Sequence, residues 1–227
     1  MTRQIRLEMK PGQAVLLSLP AIAACIISYE FFDQPVARFC STIDGAIAYI
    51  SELITRLGIS TPYLVAALAG FIWLRFVKKN KILANAAVFL FLAIALAGIA
   101  NDLIKILVGR SRPGLLLSHG VYCFKPFTNQ YYYASFPSGH ANTIAALCYG
   151  LGVVTGRFKY IWLSIALAVM ASRVIVGAHF PSDVLFGAYL GVVVTKLIAA
   201  GFEKKGLVIT RPPEKTPQQQ VDKTNAV

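Results

Sequence analysis

Two of the three histidines in this chain stand beside residues that could put them to chemical use. His179 precedes Asp183 by four residues, a helical separation that lets the carboxylate hold one imidazole nitrogen and leaves the other free to attack. Keeping an imidazole in one tautomer with an acid partner is the common way of making it a nucleophile or base. His140 follows Pro137, Ser138 and Gly139 at the head of a separate apolar run, where it could protonate a departing oxygen and later activate water. His119, between Ser118 and Gly120, is read as an interface residue with no catalytic part.

Cations accompany these histidines. Lys105 and Arg112 are seven residues apart, which returns nearly to one helix face if the helix persists that far, and Pro113 forces it to stop. Arg173 brings a third positive charge, and a planar guanidinium pairs bidentately with phosphate oxygens. Ser138 and Gly139 open a helix after Pro137, and Pro181 suits the first turn of another, so two helix N-termini are expected to aim free amides at one point. Structural ion pairing would call for comparable numbers of carboxylates, yet three cations here face one firm acid, Asp183. The missing counter-charge points to an anionic ligand.

The elements that must position these groups are membrane spans. Hydrophobic residues make up 56% of the 227, and charged residues only 14%; with a mean hydropathy of +0.62 this lies outside the range of soluble domains. The net charge of +12 comes from Lys and Arg placed between long apolar runs, which suits retention at an anionic membrane face and argues against nucleic acid. Six segments approach the roughly 20 apolar residues that a crossing needs: about 14–29, 61–74, 82–104, 140–155, 160–178 and 183–200. The N-terminal run is a retained anchor, since Glu30, Phe31 and Phe32 stand where a signal peptide needs small residues.

Cations in short connections fix the orientation. Arg3, Arg6 and Lys10, then Arg75, Lys78, Lys79 and Lys81, then Arg157 and Lys159, then Lys204 and Lys205 alternate along the chain, placing both termini in the cytoplasm. The segments 30–60 and 105–138 and the turn at His179 then face outward. Every chemistry-bearing residue falls at an outward helix end, although none was used to orient the chain. Ile47, Ile50, Ile54 and Leu57 recur at helical spacing within 41–59, as in an amphipathic helix at the outer interface. Residues 1–202 form one membrane domain, and 203–227, ending RPPEKTPQQQVDKTNAV, read as a disordered cytoplasmic tail.

Other features have plainer readings. Asn101 and Asp102 lie one turn before Lys105; Asp102 suits an interfacial charge or an ion pair inside the bundle as well as tuning of the cationic site, and neither joins the catalytic set. Phe124, Phe127, Tyr131, Tyr132, Tyr133 and Phe136 are mostly anchors for the loop 114–136, the segment expected to set selectivity. Gly109 and Gly177 fit close helix packing, and Lys196 snorkels to the cytoplasmic interface. Cys40 and Cys123 share the outer side, and two free thiols is the favoured reading over a disulfide.

Three stretches, KILVGRSRP at 105–113, PSGH at 137–140 and SRVIVGAHFPSD at 172–183, together resemble the signature of the type 2 phosphatidic acid phosphatase superfamily, in its membrane-embedded lipid phosphatase branch. PSGH alone is weak; three parts in order, each at a helix edge on one side, are specific. The resemblance implies an all-α fold of six transmembrane helices, with helices three to six forming the catalytic core. It implies a phosphohistidine on His179 oriented by Asp183, with His140 as acid and base. Lys105, Arg112, Ser138, Gly139 and Arg173 would hold phosphate, with no metal or other cofactor. The expected substrate is a phosphorylated lipid, with undecaprenyl pyrophosphate, phosphatidylglycerol phosphate, phosphatidic acid and lipid A phosphates as candidates. The expected location is an inner membrane, the site facing periplasm or exterior. Lipid-to-lipid phosphotransfer and anion transport are the rivals, and the sequence does not set the oligomeric state.

Overall fold

A computed structural model describes residues 11–210, with side chains from Ser18 onward. The cations Arg3, Arg6 and Lys10 and most of the tail expected to be disordered lie outside the described residues. Among the described residues every named element is helical. α1 (Pro11–Ile27) runs through a π-helical turn (Ser28–Phe32) into α2 (Asp33–Cys40). α3 (Gly45–Thr55) is joined by a 3-10 turn (Arg56–Gly58) to α4 (Ser60–Ile72), which ends in a second π-helical turn (Trp73–Val77). α5 (Lys81–Val108), the short α6 (Pro113–His119), α7 (Gly139–Thr155), α8 (Lys159–Ile175) and α9 (Pro181–Lys204) follow.

The six apolar segments are all helical, and the amphipathic pattern between the first and the second becomes α3 and the 3-10 turn after it. On length and composition, three stretches among the described residues can cross a bilayer: Gly45–Val77, Lys81–Val108 and Pro181–Lys204. α1, α7 and α8 have 17 residues each, about 25 Å of helix, short of a full hydrocarbon core.

Small residues face inward and large apolar ones outward, the arrangement lipid permits because burying Leu or Phe against protein gains little over burying it in acyl chains. Ala84, Ala86, Ala93, Ala97, Ala141, Ala145 and Ala146 are buried, while Phe76, Ile99, Leu103 and Leu197 are exposed. The most extensive interface joins α7 and α9. A Cβ on Gly187 would lie 2.5 Å from the Ser138 carbonyl oxygen, and one on Gly191 would lie 2.4 Å from that of Asn142. These glycines let the α7 backbone press against α9, and backbone cannot give way as a side-chain tip can. Gly191→Ala is expected to cost about 1–3 kcal/mol, measured as a fall in unfolding temperature in detergent relative to Gly201→Ala, whose added Cβ meets open space.

Two expectations change. The helix carrying Lys105 does not reach Arg112: it stops at Val108, with Gly109 left-handed at φ 59°. A side chain at Gly109 would strike the Lys125 carbonyl, 1.7 Å from a built Cβ, so glycine here serves a turn rather than helix packing. The loop 114–136 is also partly regular, since α6 runs into it from Pro113, which stands in the helix's first turn. All four cysteines are free thiols, Cys40 buried and Cys123 exposed.

Candidate active site

His179 sits between α8 and α9 and is 3% exposed. Its Nδ1 lies 2.7 Å from the Ser135 carbonyl oxygen. A carbonyl can only accept, so Nδ1 carries the proton and Nε2 keeps its lone pair. Burial pushes the His179 pKa down to about 4, against the opposing pull of Asp183, and the ring is therefore neutral at neutral pH.

Asp183 orients this histidine less directly than the four-residue spacing predicts. Its Oδ2 is 3.8 Å from His179 Nδ1, too far for a hydrogen bond. That oxygen instead accepts from the Ser135 hydroxyl at 2.6 Å and the Phe180 amide at 2.9 Å. The carboxylate thus grips the loop whose carbonyl holds the imidazole, and its charge still lies close to Nδ1. The Asp183 backbone carbonyl accepts from Ser138 N at 3.0 Å, tying the start of α9 to the start of α7.

The helix N-termini also depart from expectation. The Ser138 amide is spent on Asp183, so the open donors of α7 are those of its first turn, from Gly139 onward. The start of α9 is closed by a carboxylate: Asp33 Oδ1 accepts the Ser182 amide at 3.0 Å. One helix end, not two, is left for an anion. Ser138 Oγ is fully buried without a hydrogen-bond partner, as befits a group that awaits a ligand.

The expected cations do converge. Lys105, Arg112 and Arg173 lie within electrostatic reach of one another and of His140, and Arg112 and Arg173 also of His179. Arg112 reaches the site from extended backbone instead of a helix face. It donates through Nε to the Tyr131 carbonyl at 2.9 Å and through Nη1 to the Ala178 carbonyl at 3.0 Å, with Tyr131 stacked 4.2 Å from its guanidinium. Burial draws the Arg112 pKa below its ordinary value, with Tyr131 and Asp183 pulling the other way. Arg173 donates from Nη1 to Thr55 Oγ1 at 2.7 Å, and its Nε is buried without a partner. His119 is exposed and bonds only Ser118 Oγ, in keeping with its plain reading.

Arg110 and Asp33 were missed from the sequence. Arg110 is 2% exposed and Asp33 0%. Arg110 Nη1 donates to Asp183 Oδ1 at 2.6 Å and Ser182 Oγ at 2.7 Å, while Nη2 donates to Asp33 Oδ2 and the Tyr122 hydroxyl, each at 2.7 Å. Tyr29, Tyr122, Phe124 and Phe180 surround its guanidinium at 4.5–5.8 Å. Burial alone would lower the Arg110 pKa, but the two carboxylates more than offset this and hold it above its ordinary value. The signal was available: an acid directly after Phe31 and Phe32 needs a partner once buried. With this pair included, Lys105, Arg110, Arg112 and Arg173 stand against Asp33, Asp102 and Asp183, which leaves a net positive charge to face an anion.

A fixed neutral histidine, a second histidine and a net positive charge beside them in a helical bundle are what a phosphate ester would need. The sequence pattern of the PAP2 superfamily matches residues 86–207, more than half of the chain, and the chain belongs to that superfamily. It is a membrane lipid phosphatase, a hydrolase. It is similar to the lipid A 1-phosphatase of Rhizobium johnstonii, 29% identical over 204 residues that cover 86% of this chain and 83% of that one. The decaprenylphosphoryl-5-phosphoribose phosphatase of Mycobacterium tuberculosis is 34% identical over 136 residues, covering 60% and 69% of the two chains. Among solved structures, the transmembrane PAP2-type phosphatidylglycerolphosphate phosphatase from Bacillus subtilis superposes with a TM-score of 0.59 at 26% identity, covering 86% of this chain and 96% of that one.

Proposed function

We propose that this chain hydrolyses a lipid phosphate monoester or pyrophosphate through a phosphohistidine on His179, at the outer face of an inner membrane. The observation that carries the reading is the Ser135 carbonyl on His179 Nδ1, which leaves Nε2 as an unprotonated nucleophile within electrostatic reach of Arg112 and Arg173. Nε2 attacks phosphorus, the bond from phosphorus to the lipid oxygen breaks, and His140 gives that oxygen a proton. His140 then takes a proton from water, whose oxygen attacks phosphorus; the N–P bond breaks and inorganic phosphate leaves. The cations, Ser138 and the first amides of α7 stabilise the charge on the equatorial oxygens without a metal. Residues 1–202 act as one six-span domain, with the catalytic core in the last four spans and both termini cytoplasmic, as the alternation of cations supports.

A lipid A phosphate is the first substrate to test, since the relative from Rhizobium johnstonii, matched over most of both chains, is a lipid A 1-phosphatase. The purified protein in detergent is to be offered lipid A, phosphatidylglycerol phosphate, phosphatidic acid and undecaprenyl pyrophosphate, with EDTA present. Inorganic phosphate should appear with at least one. Phosphate found on a second lipid would make the enzyme a transferase, and no turnover until a divalent ion is restored would remove the metal-free mechanism.

A further inference from the structure

The residues matched by the superfamily pattern begin at 86, yet two of the catalytic side chains are seated by a segment that precedes it. Thr55 closes α3 and accepts the Arg173 Nη1 hydrogen at 2.7 Å. Gly58, buried in the 3-10 turn that follows, lies flat against His140: a Cβ built there would be 2.6 Å from His140 Cβ, 2.7 Å from Cδ2 and 2.8 Å from Cγ. The opposite face of the segment carries Ile47, Tyr49, Ile50, Leu53, Leu57 and Ile59, all exposed, as suits a helix whose outer face lies in lipid.

On the proposed function above, we infer that α3 and its 3-10 turn form a wall of the catalytic site, in which Thr55 and Gly58 are positioning residues for Arg173 and His140. Arg173 has one donor anchored at Thr55 while its Nε is buried with no partner. A guanidinium fixed at one nitrogen presents the rest of its fork in a set direction, which is what bidentate capture of phosphate needs. Gly58 acts by what it lacks. Its backbone belongs to a right-handed 3-10 turn, which alanine adopts without strain, so a methyl there acts through contact alone. The atoms it meets include His140 Cβ, close to the α7 backbone and unable to rotate aside. The ring must therefore shift or the wall must open, and either moves the proton donor relative to the leaving oxygen. The sequence shows no trace of this, since Gly58 and His140 are 82 residues apart.

The two roles separate kinetically. Gly58→Ala, displacing the general acid, should cut the first-step rate roughly tenfold or more on an alkyl phosphate and only about two- to threefold on an aryl phosphate, whose oxygen leaves without protonation. Thr55→Val, freeing Arg173, should raise KM for both substrates and weaken orthovanadate binding by roughly tenfold, with kcat changed much less; Thr55→Ser, which keeps the hydroxyl, should restore both. Unfolding temperatures of all three variants accompany the rates. Equal losses for Gly58→Ala on the two substrates, or wild-type vanadate affinity in Thr55→Val, would overturn the inference. Vanadate binding needs no turnover, so an inactive wild-type protein would sink the proposed function while the Thr55 arm still judged the wall. Should Gly58→Ala fail to fold, the Thr55 pair decides.

Discussion

On the proposed mechanism, replacing His179 with alanine should remove hydrolysis of every substrate, by on the order of 10⁴-fold or more, because the attacking atom itself would be lost. Replacing His140 with alanine acts selectively. It withdraws a proton donor, which matters most when the departing group is a lipid alkoxide and least when an aryl phosphate leaves as the stable phenolate. The first step on an alkyl phosphate should fall by roughly 10²–10⁴-fold, and that on an aryl phosphate by much less. His140→Ala should also accumulate phosphate on His179, since the water that clears the intermediate has lost its base. Rapid quench, reading the phenol burst together with acid-labile phosphate on the protein, measures both effects. Equal losses on the two substrates with no trapped phosphoenzyme would show that His140 has another role. Because His179 is buried and tied to Ser135, the unfolding temperature of His179→Ala must be followed alongside, to separate lost chemistry from a loosened loop.

The second large effect is on stability. Arg110→Met leaves Asp33 and Asp183, both fully buried, without their shared cation, and breaking a buried pair in this way costs about 3–5 kcal/mol. Arg110→Lys should fall between wild type and Met: an ammonium keeps the charge but cannot offer Asp33, Asp183, Ser182 and Tyr122 the planar fork they now receive. Asp33→Asn retains an acceptor for the Ser182 amide and removes a negative charge. Added to Arg110→Met, it should therefore recover part of the loss, so that the double variant is more stable than the sum of the singles predicts, by about 1–3 kcal/mol. Chemical unfolding in detergent tests the cycle. An Arg110→Met protein within about 0.5 kcal/mol of wild type would mean that the guanidinium does not carry the charge balance described above.

What the sequence determined by itself was whatever repeats or contrasts within one segment. The six apolar runs became helices because an uninterrupted apolar stretch in lipid must satisfy its backbone internally. Lys105, Arg112, Ser138, Gly139, His140, Arg173, His179 and Asp183 stand out because a charge or polar group at the edge of such a run is conspicuous. The expectation that they gather at one site came from counting which ends share a side. Tertiary structure alone decided how each group is held. Arg112 enters the site from extended chain because Gly109 must turn under the Lys125 carbonyl. His179 is held by a carbonyl 44 residues away at Ser135, not by the acid four residues on. The start of α9 is closed to an anion by Asp33, 149 residues before Ser182. Arg110, Thr55 and Gly58 act only through partners far along the chain. Helical periodicity relates residues three and four apart and carries no information about which loop will fold over which helix end. That choice rests on fitting guanidinium, carboxylate and backbone together in a space that exists only once the helices have packed.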